Sequence, residues 1–238
     1  DNGYFMFYDA SVYTAEDVAS LDKMIEVAKE NGTKIAMDVS NGWYLYSFFQ
    51  GAGYELSLND DRLTNSCAWN GEGATDVAQA IMDLFATGVF VDLSDEEMAT
   101  AIANGEISAA VNGTWRAETA AEAWGENYAA AKLPTFNVAG TECQMSSYSG
   151  YKLIGVNSQT KAEFTVFAMD LADWLTNETN QVKRFEARGY GPSNTKAAAS
   201  EAVQANVALA ALAQQSAYAV SQKDVLGSYW TPAEAFGV

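Results

Sequence analysis

The chain predicts an α/β fold, because helix and strand signals alternate along its length. Strand-length apolar runs recur between amphipathic stretches, several of which open on Ser or Thr and close on Asn-Gly. No internal repeat or low-complexity segment interrupts this alternation. At 238 residues the chain can bury one large core or two small ones. Its 49% hydrophobic content marks an ordered globular protein.

The elements follow in order. Residues 1–9 (DNGYFMFYD) read as a buried strand without a polar lead-in, an opening that favours a start inside a longer protein. Thr14 can cap a helix to Asn31, with Val18, Leu21, Ile25 and Val27/Ala28 on one face and Asn31-Gly32 closing it. A strand is expected over 34–37, then a loop at 38–42, a short aromatic helix over 43–51, and a polar hairpin over 54–70 turning at Asn59-Asp60-Asp61. A helix over 75–87 buries Val77, Ala80, Ile81, Leu84 and Phe85, and Ser94 with Glu97 makes a capping box for a helix ending near Asn104-Gly105. Strands are expected over 107–111, 128–133 and 152–156, and helices over 118–124, 161–176 and 178–187. Gly189 to Asn194 is a break, residues 203–220 read as one long helix, and Thr231-Pro232 with Glu234 starts a last helix.

Composition removes whole classes of function. Thirteen Lys and Arg against thirty-one Asp and Glu leave a net charge of −18. Such a charge repels nucleic acid and anionic membranes and suits a neutral partner. The absence of histidine removes the commonest general base and most zinc sites. A carboxylate-pair glycosidase survives that test, yet no acid pair is singled out by spacing. Asn59-Asp60-Asp61 lacks the calcium-loop pattern, Gly189-Tyr190-Gly191 is not a phosphate loop, and no metal or cofactor is expected. Cys67 and Cys143, with no CxxC spacing, are either a disulfide of an exported protein or two buried thiols. No apolar run approaches the ~20 residues a membrane span requires.

Aromatic residues concentrate in polar loops. Asn41-Gly42-Trp43-Tyr44, Asn112-Gly113-Thr114-Trp115 and Ser228-Tyr229-Trp230 each place an indole beside small or amide residues. The first two fall at the carboxyl ends of strands, where α/β sheets bind ligands. Sugars offer apolar C–H faces ringed by hydroxyls, so an indole can cover the face while Asn, Asp or Glu bond the rim. The alternative is that these tryptophans are core residues, the reading that Trp69, Trp124 and Trp174 keep.

Several stretches together resemble a family: AMDVSNGWYLYSFFQGAG at 36–53, AAVNGTWRAE at 109–118, KLPTF at 132–136, QMSSYSGYKLIGVN at 144–157, RFEARGYGPSN at 184–194 and YWTPAEAFG at 229–237. With the opening strand they are similar, in order and over essentially the whole chain, to extracellular solute-binding proteins of the maltose/maltodextrin type from Gram-positive gut bacteria. The resemblance implies the second lobe of a type II periplasmic-binding-protein-like fold, a mixed sheet flanked by helices. It implies one module over 1–238, with a sugar-binding lobe of about 9–148 plus 195–238, while 1–8 and 149–194 resemble remnants of the first lobe. It places stacking aromatics at Trp43 or Tyr44, Trp115 and Trp230, and sets Glu234 where some relatives use an arginine on sugar hydroxyls. Asn41 and Asn112 are the accompanying amides.

The function so implied is non-catalytic binding of an α-glucan, a maltooligosaccharide or starch end, by a module displayed at the cell surface through a parent protein with further domains. The alternative is a fragment of an ABC-transporter maltodextrin-binding lipoprotein. A glycosidase is the remaining reading.

Overall fold

The computed structural model describes residues 3–237. In chain order the elements are β1 (Tyr4–Asp9), α1 (Leu21–Asn31), β2 (Ile35–Met37), α2 (Gly42–Gly51), the hairpin β3 (Leu56–Leu58) and β4 (Asn65–Cys67), and α3 (Ala74–Ala86). They continue with β5 (Phe90–Asp92), α4 (Asp95–Ala103), β6 (Ala109–Gly113), α5 (Ala117–Trp124), β7 (Tyr128–Ala131), the hairpin β8 (Thr135–Val138) and β9 (Thr141–Gln144), and β10 (Ser147–Ser149). The remainder is α6 (Ala162–Thr176), α7 (Glu178–Arg188), α8 (Thr195–Ala198), α9 (Glu201–Gln204), α10 (Val207–Gln215), β11 (Ala219–Ser221) and α11 (Trp230–Gly237).

The main sheet has the order β5-β2-β6-β1-β7. β5, β2 and β6 run parallel, and β1 lies antiparallel between β6 and β7. The sheet is therefore mixed, and the carboxyl ends of β2, β5 and β6 share one edge with the start of β1. Burial on both faces explains why YFMFY has no charged position: Tyr4, Met6 and Tyr8 enter one core and Phe5 and Phe7 the other. On the first face lie α1, α2 and α3, through Leu21, Met24, Phe48, Phe49, Val77 and Ile81. On the second lie α4, α5 and α10, through Met98, Ile102, Ala120, Trp124 and Ala211. Each such buried Phe, Met or Leu contributes about 1.5–3 kcal/mol of transfer free energy.

Several expectations are corrected. The resemblance reads residues 1–8 as remnants of another lobe; here Tyr4 to Tyr8 pair with β6 and Met6 to Asp9 with β7, next to the edge of this sheet, and residues 1 and 2 lie outside the described residues. Thr14 and Asp17 cap only a single turn at Asp17–Ala19, and α1 begins after Ser20. The strand expected over 107–111 lies two residues later, which brings Asn112 and Gly113 into β6. No strand forms over 152–156: nothing among the described residues pairs with that segment, and ladder bonds, not side-chain propensity, make a strand. The helix expected over 203–220 is broken, because the Asn206 side chain accepts the Leu209 amide at 3.0 Å and starts α10 afresh. Its far end becomes β11, parallel to β10. The strand β5 and the hairpin of β8 and β9 were not expected.

Both cysteines are free thiols, Cys67 exposed and Cys143 partly so, and neither sequence reading of the pair holds. Trp124 is buried and Trp69 stacks on Phe49 at 4.3 Å, as core residues do. Trp174 is the exception: it is 57% exposed on α6, a helix none of whose residues is buried. Phe164, Phe167 and Leu171 on the same helix are exposed as well. No helix among the described residues is long and apolar enough to cross a membrane.

Candidate functional site

The site lies at the sheet edge formed by the carboxyl ends of β2 and β6. Asp38 follows β2, and Asn41 caps α2 by accepting the Trp43 amide at 3.0 Å. This cap fixes the angle at which the chain enters the helix, and so the position of the Trp43 side chain. The hydroxyl of Tyr4, at the start of β1, donates to the Trp43 carbonyl at 2.8 Å. Its ring meets the Trp43 indole edge-on with centroids 4.6 Å apart.

The opposite wall begins where β6 ends. A Cβ on Gly113 would fall inside the Trp115 indole, so glycine there lets the ring fold back over the strand end. Trp43 and Trp115 then face each other with centroids 5.9 Å apart and planes inclined by 37°. Trp230 enters from the first turn of α11, edge-on to Tyr148 at 5.9 Å and to Tyr229 at 5.0 Å. That helix sits close because Gly42 faces Ala233: a Cβ on Gly42 would lie 2.7 Å from the Ala233 Cβ. The Tyr229 hydroxyl locks the approach by donating to the Gly42 carbonyl at 2.9 Å.

These walls enclose an open cleft of about 430 Å³, lined by Asp38, Asn41, Trp43, Tyr44, Asp95, Trp115, Lys152, Gln222 and Trp230. Five of the sequence-predicted residues thus come together. Trp43 is the half-buried member of its pair, and Tyr44 lies buried against it at 5.1 Å and holds it from below. Asn112 is fully buried beneath the cleft instead of lining it. Its oxygen accepts the Tyr44 hydroxyl at 3.3 Å and its amide donates to Asp95 at 3.0 Å, so its bonding capacity is used inside the fold. Glu234 does not line the cleft either: Trp230 and Ala233 form the packed side of α11, and Glu234 is turned out to solvent.

Asp38, Asp95, Lys152 and Gln222 were not singled out from the sequence. Asp95 reads there as the acidic first turn of a helix, and its capping box is present, with Glu97 accepting the Ser94 amide at 3.0 Å. What spacing could not show is that Arg116 Nε reaches both Asp95 oxygens at 3.0 Å and that Trp115 donates its indole N–H to the same carboxylate at 3.2 Å. Burial opposes ionisation of Asp95, but the bonds from Arg116 and Asn112 and the guanidinium charge outweigh it and hold the carboxyl below the usual range. Asp38 goes the other way. Burial is the largest cause and raises it, the Asp92 charge adds to that, and bonds from Ser40 and Asn41 only partly offset the rise. Gln222 accepts the Trp43 indole N–H at 3.1 Å.

Both facing indoles therefore have their N–H groups bonded to protein and present ring surface to the cleft. Asp38, Asn41, Gln222 and Lys152 place polar groups at its margins. Among the described residues no group of three or more His, Cys, Asp or Glu is placed to hold a metal ion.

Comparison with known proteins agrees with this architecture. The family model of bacterial extracellular solute-binding proteins matches residues 1–211. A galactooligosaccharide-binding protein of Bacillus subtilis (strain 168) is 28% identical over 247 aligned residues, which cover 97% of this chain and 57% of that protein. A structure solved with acarbose is 33% identical with a TM-score of 0.88, covering 99% of this chain and 61% of that one. The maltose/maltodextrin-binding domain of Bdellovibrio bacteriovorus bound to maltotriose is 20% identical with a TM-score of 0.80, covering 98% and 63% respectively, and shares the fold. The chain thus spans about three fifths of the length of these relatives. Its family match, its mixed sheet and its topology make it a member of the bacterial extracellular solute-binding proteins.

Proposed function

We propose that this chain is a non-catalytic carbohydrate-binding lobe whose ligand is an α-glucan, a maltooligosaccharide or a starch end. The observation that carries the reading is the cleft in which Trp43, Trp115 and Trp230 offer ring surface with carboxylate, amide and ammonium groups at the margin. Apolar sugar faces stack on such rings, and the margin groups bond the hydroxyls. Asp95 is engaged by Arg116, Trp115 and Asn112 and is held ionised. That leaves it unsuited to the general-acid half of a glycosidase pair and supports binding without turnover. The acarbose complex of a relative 33% identical supports an α-glucan, while the galactooligosaccharide-binding relative defines the competing ligand.

Display outside the cell through a longer parent protein is part of this proposal. A second reading, a fragment of an ABC-transporter maltodextrin-binding lipoprotein, is favoured by one observation: Phe164, Phe167, Leu171 and Trp174 are exposed along α6. An apolar helix face of that extent calls for a covering partner. On this reading residues 149–194 pack against a first lobe, and residues 4–148 with 195–237 form the sugar lobe.

Isothermal titration with maltoheptaose, a β-1,4-galactooligosaccharide and cellohexaose separates the ligands. Heat with maltoheptaose alone is the expected result. Heat with the galactooligosaccharide alone, or with none of the three, contradicts the proposal for this chain.

A further inference from the structure

The wall of the cleft that carries Gln222 and Trp230 has little regular structure. Between α10 and α11 the chain makes three single turns, Ser216–Tyr218, Gln222–Asp224 and Gly227–Tyr229, and the three-residue strand β11. Segments of this kind have few internal bonds and open at low free-energy cost unless side chains from elsewhere hold them. One residue from the hairpin, distant in sequence, does so here. The Asn65 amide donates to the Asp224 carbonyl at 2.9 Å, and its oxygen accepts the Leu226 amide at 2.9 Å. These are the two peptide groups flanking Val225, whose side chain packs on the core. The carboxamide occupies the place a neighbouring parallel strand would take. The same amide also reaches the Ser57 carbonyl at 3.2 Å, which ties the clamp to β3.

We infer that Asn65 is a positioning residue for ligand binding, acting on the cleft through the 222–230 segment. This rests on the binding function proposed above. Just upstream of the clamped peptides, Gln222 accepts the Trp43 indole N–H at 3.1 Å. Just downstream, the Tyr229 hydroxyl bonds the Gly42 carbonyl and Trp230 enters the cleft. Without the clamp these cleft contributors must be ordered when ligand arrives, and that cost reduces apparent affinity by the fraction of time the wall is formed. Asn65 itself is not among the residues lining the cleft.

The test compares Asn65→Ala with Asn59→Ala. Asn59 bonds Thr64 and Ser66 within the hairpin and makes no bond to the 222–230 segment, so its variant reports hairpin damage alone. Three quantities are read: the maltoheptaose dissociation constant, amide hydrogen exchange at Leu226, and the Trp43 indole N–H resonance. In Asn65→Ala the account expects about tenfold weaker binding, the loss of about one net hydrogen bond's contribution, with faster Leu226 exchange and a shifted Trp43 signal. In Asn59→Ala affinity stays within about twofold. Unchanged affinity in Asn65→Ala, or equal losses in both variants, overturns the inference. If the unmodified protein takes up no maltoheptaose, the binding proposal fails by itself. The clamp is then upheld by a changed Leu226 exchange and Trp43 signal in Asn65→Ala, and overturned if both stay as they were.

Discussion

Trp43 and Trp115 face each other at 5.9 Å while each donates its indole N–H to a protein acceptor, Gln222 for the first and Asp95 for the second. The pair is thereby pre-organised. Rings held from their edges can receive an apolar sugar face without first being ordered. Trp115→Ala should therefore weaken oligosaccharide binding by about 1–3 kcal/mol, as expected for an anchor aromatic. Trp230→Ala should act similarly, whereas Trp174→Ala on α6 should leave affinity unchanged. Titration calorimetry of the three variants checks this, and unchanged affinity in both of the first two contradicts it.

Asp38 should show a trade between stability and binding. Its folded-state value is raised, chiefly by burial. Its charged form therefore costs stability at neutral pH, and that cost is relieved as pH falls through the folded value. Asp38→Asn should raise the stability at pH 7 slightly, by less than about 1 kcal/mol, seen as a higher urea midpoint, and the difference should shrink toward pH 4. The same change removes a charged acceptor from the cleft and should lower affinity about tenfold. A lower midpoint at both pH values contradicts the account.

Asp95 has the opposite sign. Its depressed value gives stability that is present above the unfolded value of about 3.9 and lost as pH falls through the folded one. The carboxylate is partly exposed, so screening limits the contribution to about 1 kcal/mol or less. Arg116→Met removes the largest stabilising partner but leaves the burial that opposes ionisation. An NMR titration should find the Asp95 carboxyl at or above its ordinary value in that variant. A value still depressed would mean that Asn112 and Trp115 suffice.

The contact between α2 and α11 predicts a rescue. Gly42→Ala introduces a methyl 2.7 Å from the Ala233 Cβ and should destabilise by about 1–3 kcal/mol. It should also displace Trp230. Adding Ala233→Gly to the same chain should restore a substantial part of both stability and affinity. Losses that simply add in the double variant would contradict direct packing of these two residues.

How much of this was legible in the sequence depended on how local the cause was. The loop at 41–44 could be read as an indole beside a glycine and an amide, because the three are contiguous, although the role of Asn41 as the cap of α2 emerges only in the structure. The capping box at Ser94 and Glu97 was legible for the same reason. Asp95, Lys152 and Gln222 were not, since Asp95 comes from beyond β5 of the main sheet and Lys152 and Gln222 from beyond the separate strand pair β10 and β11, and only the fold brings these distant segments to one cleft. Asn112 looked like a rim amide because its strand was placed two residues early; moved into β6, its side chain turns under the floor. The long helix expected over 203–220 hid the break before α10 and the strand β11, and Asn206, a strong cap residue, was the signal that would have divided it.

The most direct test of the central claim is the indole N–H spectrum of the ¹⁵N-labelled protein during titration with maltoheptaose. The account predicts saturable shifts of the Trp43, Trp115 and Trp230 signals, with those of Trp124 and Trp174 unmoved. Shifts confined to other tryptophans, or none at saturating sugar, would contradict the assignment of this cleft as an α-glucan site.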